Sequence, residues 1–420
     1  MREAGLHDND CHSAVAAEAA EYAARTSYGR LLAFLSARSG DIAAAEDALS
    51  SAFEAALESW PRNGVPDQPD AWLLTVARRT LIDIARHRKK HLDVHADIDT
   101  LADIGVEMDS DSSIPDRRLG LMFACAHPAI EAPIRSPLIL QAILGFDAAA
   151  IASAFLIAPS TMSQRLVRAK QKIKLARIPL VIPEIDVLAE RVEAVADAIY
   201  AAYAGGWSDP AGTEPHLLNL AGEALWLGRL LAALMPEQPE TLGLLALMLY
   251  TEARRSARRG TAGEYIPLSE QDPASWNADL IEEAEQLLMR AAKTGIPGRY
   301  QLEAALQSAH VARRRNGNTD WHAIALLYEA LYTMTGSPVV AINRAVALSE
   351  TLGPVGGLAQ LELLSKDRQI REYQPYWAAR ADLLARIGNK QDAAAAYGQA
   401  IGLESDPAVR QFLQAKLAKL

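Results

Sequence analysis

The chain has 420 residues, half of them apolar, and a formal net charge of −10 at pH 7. That length calls for more than one domain, and the acidic balance excludes a protein that coats nucleic acid without selection. Two cysteines, Cys11 and Cys125, exclude a disulfide framework, and no apolar run approaches the ~20 residues that span a bilayer, so the expectation is a reducing, cytoplasmic setting without a membrane.

The first residues, MREAGLHDNDCHS, lack the apolar core of a secretion signal. His7, Asp8, Asp10, Cys11 and His12 are metal-ligand types, but no second ligand cluster follows. Residues 1–17 are therefore expected to be a flexible terminus. From about 18 to 90 the pattern is helical. Ala45, Leu49, Ala52, Phe53, Ala56 and Trp60 form an apolar stripe, with Glu46, Asp47, Glu54 and Glu58 outside it. Asp41 is the expected N-cap, and Pro61 the expected break. Asp70 would cap the next helix, which buries Trp72, Leu73, Val76, Ala77 and Leu81 and ends in a run of Arg and Lys. Some basic charge is usual at a helix C-terminus, where it meets the negative end of the helix dipole.

Residues 91–114 read as an acidic linker, carrying Asp97, Asp99, Asp103, Glu107, Asp109 and Asp111 and no Lys or Arg. Such a segment cannot bury enough apolar surface to pack by itself. A second domain is expected over 115–180. Two apolar helices flank His127-Pro128, and then a small apolar stretch, Asp147 to Phe155, precedes PSTMSQRLVRAKQKIK. Helix, tight turn and basic helix is the helix-turn-helix pattern. It is also the pattern of a solvated basic helix on any helical protein. Pro159 or Ser160 would start the second helix. Met162, Leu166, Ala169 and Ile173 would face the core, leaving Ser160, Thr161, Gln164, Arg165, Arg168 and Lys172 outward. These are residue types that read base edges or hold phosphates.

Together the motifs AEDALSSAF (45–53), the Trp72-Leu73-Leu74-Thr75-Val76-Ala77-Arg78 helix and LVRAKQKIK (166–174) resemble the extracytoplasmic-function sigma factors of bacterial RNA polymerase. The chain departs from that family's frequent residues at Ser50, Ser51, Arg79 and Ala150. The resemblance implies an all-α fold and a transcription initiation factor, with core RNA polymerase and promoter DNA as partners. It implies that the 42–58 helix docks on polymerase through Asp47, Glu54 and Glu58. It implies that the 61–70 loop and the following helix hold a melted −10 element, through Trp72, Arg78, Arg79, Arg86 and Arg88. The helix-turn-helix would read the −35 element through Ser160, Thr161, Gln164, Arg165, Arg168 and Lys172.

Residues 184–420 resemble the C-terminal extension of a sigma subgroup with tetratricopeptide-like repeats. Trp377, Gly388, Ala393, Tyr397 and Ala400 fall at that repeat's spacings, and a weaker copy surrounds Trp321, Tyr328 and Pro338. The helices between 184 and 255 are expected to be amphipathic. An all-helical array of this kind offers a surface for a protein or peptide partner and a means of regulation. Nothing in the sequence nominates a catalytic constellation, a metal site or a cofactor. The alternative function is a helical-repeat adaptor that the sigma-like half anchors to polymerase.

Overall fold

A computed structural model of the chain describes residues 4–92, 117–155, 157–207, 215–293, 295 and 297–420. The expected acidic linker lies almost wholly outside the described residues, as do the side chains of residues 4–12 and 87–92. The fold is all-α. Among the described residues there is no strand, and an isolated bridge joins Arg259 to Tyr265.

The chain divides into two compact units, the first reaching Leu227 and the second beginning in earnest at Gly228. Three helices open the first unit: α1 (Ala4–Ser39), α2 (Ile42–Asn63) and α3 (Pro69–Leu92). Helix α1 begins inside the segment expected to be flexible. Its alanine-rich sequence favours a helix, and Ala16, Ala20 and Ala23 are buried in the core that the three helices share. The stripe on α2 is buried as expected, apart from a half-buried Phe53, with Trp60 edge-on to Trp72 at 5.5 Å between ring centres. Asp41 caps α2, accepting a hydrogen bond from the Ala44 amide at 3.1 Å.

Two expected boundaries are corrected. Helix α2 runs through Pro61 and stops at Gly64, whose φ of +83° suits glycine. A proline in a final turn leaves few helical bonds to lose. Asp70 does not cap α3, because that helix already starts at Pro69. Its carboxylate instead ties α3 to α1, accepting from Ser27 Oγ at 2.8 Å and Arg30 at 2.5 Å.

Next come α4 (Arg118–Cys125), α5 (Ala132–Leu144), α6 (Ala148–Ala154) and α7 (Pro159–Leu175), followed by α8 (Val192–Trp207) and α9 (Pro215–Leu234). Every residue of α4 is buried. It is covered by α1, α5 and α8. Cys125 is fully buried, and burial pushes its thiol up to about 12, so it acts as a small apolar side chain. Helix α5 packs on α1 and on α8. At the first of these contacts Gly29 lies so close to Ile143 that a Cβ would overlap its carbonyl oxygen. Residues just past 184 therefore belong to the first unit. Arg191 donates to the Phe123 carbonyl (3.2 Å) and Ser136 to the Ala194 carbonyl (3.2 Å). Arg118 pairs with Glu223 of α9 and lies 4.3 Å from the Trp226 ring centre.

The second unit is built on α10 (Pro239–Glu252), α11 (Ala278–Ala292) and α12 (Arg299–Val311). The expectation of amphipathic helices fails at α10. Thr241 through Tyr250 are all buried, as in a helix covered on every side. Its Glu240 accepts from the amides of Tyr300 (2.9 Å) and Gln301 (3.2 Å), satisfying donors at the start of α12. Residues 253–277 connect α10 to α11 through an irregular stretch with 3-10 turns at Arg255–Arg258, Leu268–Glu270 and Pro273–Ser275. Arg313 holds them, donating to the carbonyls of Leu268 (2.6 Å) and Gln271 (2.8 Å) beside Trp276.

Helical hairpins follow: α13 (Trp321–Thr335) with α14 (Pro338–Leu352), α15 (Pro354–Glu362), then α16 (Gln374–Arg386) with α17 (Lys390–Leu403), and α18 (Pro407–Leu417). Ala393, Tyr397 and Ala400 are buried, and Trp377 packs beside them. Gly388 turns the chain at φ +82° and Asn389 caps α17. Trp321 and Tyr328 pack half-buried on the α12–α14 cluster.

Candidate nucleic-acid interface

Helix α7 is short, basic and two-faced. Met162, Leu166, Ala169 and Ile173 are buried, and they lie against α5 and α6. Ser160, Thr161, Gln164, Arg165, Arg168 and Lys172 are all exposed. The division expected from helical spacing is therefore the one found. The cap is not. Ala158 occupies the N-cap with no side-chain hydrogen bond, and Pro159 forms the first helical residue. Asp147 caps the preceding helix, accepting from the Ala149 (2.8 Å) and Ala150 (2.7 Å) amides.

On α2, Asp47, Glu54 and Glu58 are exposed. On α3, Arg79 and Arg86 are exposed and Arg78 is half-buried. Arg86 lies 3.6 Å from Asp83, a surface pair of small worth. Trp72 is half-buried and packed on the core, so part of its ring stands against Trp60 and not in solvent. The Arg88 side chain lies outside the described residues. The outward residues are thus carried by three different helices, α2, α3 and α7.

Four residues of this site were not singled out as a group by sequence reasoning. Lys170 of α7 reaches Glu46 of α2, with its ammonium 2.6 and 2.5 Å from the two carboxylate oxygens. Lys174, one turn on, lies 2.6 Å from Asp41. Glu46 was expected outside the apolar stripe, and it is, but it is largely covered by α7. Burial pushes its carboxyl up from the usual range; Lys170 pulls it back, and Asp47 and Asp41 add to the rise. Tyr28 of α1, which also feels Glu46, is pushed up to about 12, chiefly by burial. Glu46, Lys170, Tyr28, Arg118 and Gln141 line a cleft of about 830 Å³.

Residues 24–91, the three-helix segment ending in α3, match the family model of sigma-70 region 2. Residues 191–292, from α8 through α11, match DUF6596, a family of unknown function. A protein of Rhizobium meliloti (strain 1021), described as uncharacterized, is 36% identical over 385 residues, covering 90% of each chain. The chain belongs to that protein's family, and its region 2 segment makes it sigma-factor-like. No solved structure matches this sigma-factor-like protein. Its region 2 brings a role in transcription initiation, and core RNA polymerase and promoter DNA are the partners of such a region. The DUF6596 segment begins within the stretch read from sequence as a repeat extension, and it includes the fully buried α10. Among the described residues no helix is long and apolar enough to cross a membrane.

Proposed function

We propose that this protein is a promoter-selecting sigma factor of the extracytoplasmic-function kind, with its C-terminal helices as a built-in regulator. Helix α7 reads the −35 element, α3 and the loop before it hold the melted −10 element, and the outer face of α2 docks on core polymerase. The observation that carries this reading is the outward face of α7. It presents Thr, Gln and two Arg together, the side chains suited to base edges and phosphates. The region 2 match supports the polymerase contact. The paired helices of the second unit, with small buried residues at Ala393 and Ala400, support a tetratricopeptide-like array able to take a protein or peptide.

The deciding experiment is run-off transcription with purified core polymerase on fragments recovered by genome-wide start-site mapping. New start sites that depend on the protein support the reading. A protein that co-purifies with polymerase but directs no initiation is an adaptor instead.

Two substitutions sharpen the assignment. Replacing Arg165 and Arg168 by Ala is expected to weaken binding to the cognate promoter, by about 1–3 kcal/mol for each arginine that reads a base. Preference at the contacted positions should flatten. Unchanged affinity and unchanged promoter choice in the double variant would remove α7 from the role. Reversing charge with Asp47→Lys and Glu54→Lys is expected to abolish co-purification with core polymerase. Both side chains are exposed, so thermal unfolding should hardly move. Full recovery of polymerase by the reversed protein would place the docking surface elsewhere.

A further inference from the structure

Helix α7 has a second basic edge that its outward face does not account for. Lys170 and Lys174 lie one turn apart on a flank of the helix, between the buried side and the exposed arginines. Flanks of a helix lying in a DNA groove are where backbone phosphates run. In the free protein both lysines are already occupied, by Glu46 and Asp41 of α2. A carboxylate and a phosphate compete for a lysine in the same way, each offering anionic oxygens to one ammonium.

We propose that Lys170 and Lys174 are phosphate contacts of α7 that α2 masks in the free protein, so that duplex DNA must displace Glu46 and Asp41 to engage α7 fully. This rests on α7 being the DNA-reading helix.

The two acids are not equally movable. Asp41 is also the cap of α2 and is fixed by that bond. Glu46 accepts from Lys170 through both carboxylate oxygens and sits where burial disfavours its charge. A buried ion pair gains little net stability, because desolvation offsets the attraction. Glu46 and Lys170 both border the cleft, so solvent and ions reach the pair from one side. The groups facing Glu46 are Lys170 of α7, Tyr28 of α1, Cys125 of α4, and Asp41 and Asp47 of its own helix. Lys170 is the cation bonded to Glu46, so removing the charge of Glu46 releases it. The buried face of α7, Met162, Leu166, Ala169 and Ile173, does not include either lysine, so exchanging the lysines' partners leaves that face in place.

The test uses the full chain and a fluorescent duplex of arbitrary sequence, with anisotropy followed across a salt titration. Glu46→Gln is expected to bind several-fold more tightly than the unaltered protein at low salt. Its salt dependence should steepen by about 0.9 per lysine freed. The gain should vanish when Lys170→Gln is added to Glu46→Gln, which separates unmasking from general loosening of the fold. If Glu46→Gln binds no more tightly, or if its gain survives the loss of Lys170, masking is wrong. The Arg165→Ala, Arg168→Ala protein distinguishes this from failure of the underlying reading. Weaker binding there, with no gain from Glu46→Gln, overturns masking and leaves α7 as the reader. Unchanged binding there overturns the reading and masking with it.

Discussion

Trp60→Ala is expected to lower the unfolding free energy of the first unit by about 3–5 kcal/mol. Trp60 is 2% exposed and sits where α2 ends, with α1 and α3 closing around it. Removing the indole leaves a cavity that these backbones cannot close, and it strips Trp72 of its edge-on neighbour. The indole Nε1 has no hydrogen-bond partner, so the loss is one of packing and not of a polar contact. Trp60→Phe should cost clearly less. Urea denaturation followed by hydrogen exchange over residues 15–85 measures both. A loss below about 1 kcal/mol for the alanine variant would show that the site collapses and that the helices are not held by this ring.

Gly29→Val should act on a different joint. At Gly29 the backbone of α1 touches the backbone of α5, and the added side chain would meet the Ile143 carbonyl, which no rotamer change can move. Overpacking against side chains costs about 1–3 kcal/mol, and a backbone obstacle belongs at the upper end or beyond. The expected result is selective. Exchange protection should fall across α5 and α7, which depend on the α1–α5 contact, while α2 and α3 keep theirs. Uniform loss of protection over the whole first unit would mean that the joint and the three-helix core form one cooperative block. No loss at all would mean that α1 slides without consequence.

Much of the local architecture was legible in the chain. The buried and exposed faces of α7 follow from the spacing of Met162, Leu166, Ala169 and Ile173, and the α2 stripe ending in Trp60 follows in the same way. Periodicity reports which side of a helix is apolar, and these helices bury that side. It does not report which charged residue meets another 124 positions away, as Lys170 meets Glu46. Nor did it separate Glu46 from Asp47, adjacent acids of which one is covered and the other open. The sequence presents Asp70 as a cap because carboxylates near a helix start usually serve the local amides. Here the amides gave way to Ser27 and Arg30 on a neighbouring helix. The amphipathic reading failed at α10 because a helix that is apolar all round shows no contrast between its faces.

The covering of α4 changes what a truncated protein would report. A chain cut just after Pro183 looks like a clean excision of the accessory part. It would remove α8, which lies over α5, together with Glu223 and Trp226, which receive the Arg118 guanidinium. The remaining fragment would present fresh apolar surface where a sealed interior had been, and Arg118 would lose both of those contacts. In a cell such a fragment becomes a substrate for proteases and chaperones. A silent promoter in that strain would then record the disappearance of the protein and not the withdrawal of a signal. Deletions meant to probe the accessory helices should begin beyond Leu227, where the first unit is complete.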